Sequence, residues 1–159
     1  MNKKTENYFE MKIKAVPENV KFVRSAIATF SLPLEPTYDE VQDLQTAVSE
    51  AFTNAVVHAY PEKRGECEVD VSVSLDKEEH KISITIGDHG VGIKNFEKAR
   101  EPFFSTAENV EEHCGMGFTI METFMDNLSL QNNEGRGVKL IMAKTLGRSK
   151  DSAQAECSC

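Results

Sequence analysis

Glu50 and Asn54 stand four residues apart in the segment Ser49-Glu50-Ala51-Phe52-Thr53-Asn54-Ala55. On a helix that spacing stacks the two side chains one turn apart on one face. An amide oxygen is a hard donor suited to Mg²⁺, and a carboxylate can take a proton from a hydroxyl or a water. Taken alone, the pair fits a solvated Glu–Asn couple better than a site. A second group is Asp88-His89-Gly90-Val91-Gly92. A carboxylate at a strand end can accept a hydrogen bond from an exocyclic amine such as that of adenine, and Gly90 and Gly92 let backbone approach a flat ring. Taken alone, it is an ordinary Asp-Gly turn. A third group is Gly115-Met116-Gly117-Phe118, placed to open a helix. Backbone N–H groups there attract phosphate, but an isolated GxG is equally a hinge, and the spacing matches neither a Rossmann fingerprint nor a P-loop.

These residues need elements to hold them. Phe9, Met11, Ile13 and Ala15 alternate with Glu10, Lys12 and Lys14, which predicts a strand with one buried face. Pro17 and Glu18 open a helix with the apolar stripe Val20, Val23, Ile27 and Phe30, broken by Pro33 and Pro36. Thr37-Tyr38-Asp39-Glu40 is a capping box. It starts a helix with the stripe Leu44, Val48, Ala51, Phe52, Ala55 and Ala59, which runs to about His58 or Tyr60 before Pro61. Val69 to Leu75 and Ile82 to Ile86 alternate as two strands around a charged turn. A short helix is expected around residues 95–100, and a polar loop from Pro102 to Cys114. Phe118 to Met125 reads as helix, followed by strands from Leu128 and from Val138 to Ala143. Met116, Met121 and Met125 read as core packing, and His58 as a histidine near a helix end. The order predicts a two-layer α/β sandwich, with helices on one face of a mostly antiparallel sheet. Residues 1–146 form one domain in this reading, and 147–159 a polar, disordered tail.

Composition narrows the function. Acidic residues number 26 against 18 basic ones, a net charge of −8, which argues against a protein that itself grips nucleic acid. Four cysteines without CxxC spacing read as reduced thiols. Lys3 and Lys4 precede no apolar run, and no segment approaches a membrane span, so a cytoplasmic protein is expected.

The three groups taken in order carry more than each alone. Helical ExxxN, DxGxG at a strand end, a polar loop and GxGF at a helix start together resemble the GHKL (Bergerat-fold) ATPases over nearly the whole chain. Ser49 to Ala55 resembles the N box, Asp88 to Gly92 the G1 box, and Gly115 to Glu122 the G2 box. Gly115 to Asp126 is most similar to the sporulation anti-sigma factors, serine kinases of that fold. The resemblance implies ATP and Mg²⁺ as cofactors. It implies Asn54 as the Mg²⁺ ligand, Glu50 as general base, and Asp88 as reader of the adenine amine, with Gly90 and Gly92 shaping its pocket. Gly115, Met116, Gly117 and Phe118 would lie along the phosphates, and residues 102–114 would form the ATP lid. It implies two protein partners: a sigma factor, bound by a homodimer of the chain so that transcription is blocked, and an anti-anti-sigma factor phosphorylated on serine. Arg24 falls at a position used for both partners.

The sequence departs from that pattern in two places. The lid carries His113 where related kinases carry Lys or Arg, and Gly137-Val138-Lys139 replaces a Gly-Thr-Thr. Strand alternation favours Lys139 facing solvent. Two other readings stay open: a non-catalytic nucleotide-dependent binding module, and a general-stress anti-sigma kinase with another sigma partner. A histidine-kinase catalytic domain fits less well.

Overall fold

The computed structural model describes residues 7–59, 67–90, 117–133 and 137–147. The expected helix at 95–100, the lid at 102–114 with His113, the site residues Gly92, Gly115 and Met116, and the tail beyond Gly147 lie outside the described residues.

Among the described residues, five strands form one sheet: β1 (Asn7–Lys14), β2 (Glu68–Asp76), β3 (Lys81–Asp88), β4 (Asn127–Asn133) and β5 (Gly137–Thr145). Their order is β1-β2-β3-β5-β4, and every neighbouring pair is antiparallel. The alternation written in β2 and β3 fixes which face is covered: Val69, Val71, Val73, Leu75, Ile82, Ile84 and Ile86 are buried. Among the described residues, three helices lie on that face: α1 (Asn19–Ser31), α2 (Tyr38–Asn54) and α3 (Gly117–Phe124). The fold is the expected α/β arrangement, with the sheet antiparallel throughout the described residues.

α2 starts at the capping box read from the sequence. Glu40 N–H donates to Thr37 Oγ1 at 3.2 Å, and Thr37 N–H donates to Glu40 Oε2 at 2.8 Å. Glu40 Oε2 also accepts the N–H of Gly147 at 3.0 Å, which fastens the end of β5 to the start of α2. Leu44, Val48, Ala51 and Phe52 of the predicted stripe are buried, and Ala47 is buried with them. The helix changes form where the sequence predicted a plain continuation: Ala55–Ala59 is a π-helical turn. Such turns re-aim the chain and are frequent beside functional sites; this one begins next to Asn54. Met121 and Met125 are buried in the core, as expected.

Candidate functional site

α2 and α3 pack together with their ends matched. A Cβ added to Gly117, the first residue of α3, would lie 3.2 Å from Glu50 Oε2, 3.2 Å from Asn54 Nδ2 and 3.4 Å from Asn54 Oδ1. The fold therefore brings the first and third sequence groups together, and a Cβ at position 117 would require the two α2 side chains to give by a few tenths of an ångström. Phe118 follows on α3 and packs partly buried against the core. The donor set at this point is a carboxylate, an amide oxygen and the N–H-rich start of a helix. Hard oxygen donors beside a cleft that a methyl group would crowd suit a small hard cation, and the helix start suits phosphate.

Asp88 ends β3, paired with Val69 on the covered side of β2. Its Oδ1 accepts the N–H of Gly90 at 2.9 Å and that of Val138 at 3.2 Å. Burial raises the Asp88 carboxyl above the usual carboxylate range, opposed by those two backbone bonds and by His89. One carboxylate oxygen is thus held by two backbone N–H groups. Sequence reasoning missed Gly137 and Val138 as the wall behind Asp88. Gly137 has a φ of +99°, and its missing Cβ leaves room for the Asp88 backbone carbonyl. A glycine opening a strand was the available signal.

His89 turns to the opposite face, where Nε2 lies 2.6 Å from Asp70 Oδ2. Lys139 is exposed on that face, opposite Gly87 and Gln131, so it is no inward substitute for a hydroxyl. A cavity of about 920 Å³ opens there, lined by Lys12, Asp70, Thr85 and Lys139. It reaches Asp88 but neither Glu50 nor Asn54, so it is separate from the cleft at Gly117. Arg24, on α1, is remote in sequence from all three groups, and its buried Nε has no acceptor among the described residues. No metal-holding cluster of His, Cys, Asp and Glu occurs among the described residues, and no described helix is long and apolar enough to cross a membrane.

α2 and α3 thus set a carboxylate–amide pair against the glycine that opens a helix, and a half-buried Asp ends β3. The chain belongs to the histidine kinase-like ATPase domain family, whose profile matches residues 13–144, and within it to the anti-sigma F factors. It is 41% identical over 146 residues to the anti-sigma F factor of Clostridium acetobutylicum, covering 92% of this chain and 99% of that one. It is 41% identical over 145 residues to the anti-sigma F factor of Bacillus subtilis, covering 91% and 97%. The structure of the RsbU and RsbW domains of Rv1364c from Mycobacterium tuberculosis matches with a TM-score of 0.63 at 14% identity, over 90% of this chain and 33% of that one. The catalytic domain of histidine kinase ThkA matches with a TM-score of 0.53 at 15% identity, over 88% and 96%. At those identities the two structures speak for the fold alone.

Proposed function

We propose that this chain is an ATP-dependent protein-serine kinase that also holds a sigma factor and so blocks transcription. The observation that carries the reading is the meeting of Glu50, Asn54 and Gly117 at one point. Asn54 Oδ1 would hold Mg²⁺, which when bound neutralises phosphate charge. The first N–H groups of α3 donate to phosphate oxygens. Asp88 accepts from the adenine amine. Glu50 receives the proton of the attacking serine hydroxyl as the new O–P bond forms and the bond to the ADP oxygen breaks.

The partners are a sigma factor, as the relatives' name indicates, and an anti-anti-sigma factor that supplies the serine. The surface supports protein partners and a homodimer. Phe22 is 58% exposed on α1. With Phe9, Met11, Phe30 and Pro33 it lines an apolar groove of about 670 Å³ beside β1, which among the described residues has no strand on its outer side. Arg24 on the same helix would offer its guanidinium to either partner.

One observation favours a second reading, a nucleotide-dependent binding module without catalysis: Pro102 to Cys114 contains no Lys or Arg. The test is transfer of label from γ-labelled ATP with Mg²⁺ to the anti-anti-sigma protein, wild type against Glu50→Gln. Serine label lost in the variant supports the kinase. ATP binding with no transfer by wild type favours the binding module.

A further inference from the structure

Lys144 breaks the alternation of β5. The residues at alternate positions on its own face, Leu140, Met142 and Leu146, are all buried, and its cross-strand partner Ile82 is fully buried. A lysine therefore points to the covered face, where its side chain is only 12% exposed. A buried ammonium needs partners, and it has two on different helices. Nζ donates to the carbonyl oxygen of Phe124, the last residue of α3, at 2.5 Å. It also lies 3.3 Å from Asp43 Oδ2 on α2.

The spacing gives this tie its consequence. Asp43 and Glu50 are seven residues apart on α2, and Phe124 and Gly117 are seven apart on α3. Seven residues are two helical turns, about 10 Å along the axis. The two helices therefore meet at both ends of one seam, with Lys144 at one end and the Gly117 contact with Glu50 and Asn54 at the other. Asp126 separately fastens the chain after α3 to β5, through Thr145 N–H to Oδ2 at 2.6 Å and Asp126 N–H to the Ala143 carbonyl at 3.0 Å. Those bonds dock α3 on the sheet but do not reach α2.

We propose that Lys144 is a positioning residue: by bridging the end of α3 to Asp43 it fixes the axial register of α3 on α2. It thereby sets the distance between the first N–H groups of α3 and the Glu50–Asn54 pair. This rests on the reading that the same cleft binds the phosphates of ATP. The adenine end is read by Asp88 on β3, which the tie does not touch, so the tie acts on phosphate binding alone.

The experiment is calorimetry of the full chain with Mg-ATP and with adenosine, for wild type, Lys144→Met, Lys144→Arg and Asp43→Asn. Methionine keeps the length of the buried stem and removes the charge. Lys144→Met should bind adenosine as wild type does and ATP roughly tenfold to a hundredfold more weakly, the scale of a small misplacement. Lys144→Arg should recover most of the loss. Asp43→Asn should weaken ATP alone, and carries the test should Lys144→Met fail to fold. Equal loss of both ligands, or no loss of ATP in any variant, overturns the positioning role. Wild type binding adenosine but gaining nothing from the phosphates would overturn the reading of the cleft, and is a separate result from any variant's behaviour.

Discussion

Gly137 and Asp88 pass so closely that a Cβ on Gly137 would overlap the Asp88 backbone carbonyl oxygen. The same glycine holds a φ of +99°, and the next residue, Val138, donates its N–H to the Asp88 side chain. One backbone crossing thus sets both the start of β5 and the orientation of the candidate adenine reader. Gly137→Ala should cost at least about 1–3 kcal/mol from the left-handed backbone alone, and should weaken ATP because the Val138 bond shifts. Urea melts and calorimetry on the one variant check both. An alanine variant as stable as wild type would mean that the chain relaxes there freely.

Asp88→Asn separates binding from stability. Burial raises this carboxyl, so the folded chain holds its proton more tightly than the unfolded chain. Its contribution is most favourable below the unfolded carboxylate range and falls as pH rises through the raised value. At neutral pH the ionised carboxylate therefore costs stability, and an amide should remove that cost. We expect a Tm equal to or above that of wild type at pH 7, a difference that narrows below about pH 4, and weaker ATP binding with lost preference over GTP. Thermal melts across pH and paired ATP and GTP titrations decide it. Unchanged discrimination between the two nucleotides would remove Asp88 from base reading.

Asn54→Ala tests the metal assignment. Asn54 is the last residue of α2 and only half-buried, and alanine is the better helix former. The far-UV circular dichroism should be unchanged while Mg²⁺-dependent ATP binding disappears. Equal ATP affinity with and without Mg²⁺ in wild type, or full affinity in the variant, would contradict the role.

Thr37→Ala removes one half of the capping box and frees the Glu40 N–H. It should lower stability by about 1 kcal/mol with ATP affinity unchanged, because the box lies at the end of α2 away from Glu50 and Asn54. Chemical denaturation gives the first value and calorimetry the second. A change in ATP affinity would show that the start of α2 communicates with the site.

The elements were legible because they are written in short-range spacing. Leu44, Val48, Ala51 and Phe52 mark the buried stripe of α2, and Thr37 with Glu40 marks its first residue. Val69 to Leu75 marks a strand covered on one side. Glu50, Asn54, Asp88 and Gly117 were readable as groups because each sits at a helix face, a strand end or a helix start. The π-helical turn after Asn54 was not legible, since an apolar stripe looks alike in either helical form until packing selects one.

The sequence by itself determined which residues form strands and helices, which faces they bury, and which family they resemble. These depend on neighbours a few positions away, where backbone geometry ties spacing to direction. Only the tertiary structure decided that β5 lies between β3 and β4, that Gly137 yields space to Asp88, and that Lys144 turns inward to join α3 to Asp43. Those partners are separated by tens of residues in the chain. Their meeting follows from how the helices seat on the sheet, which no local spacing encodes.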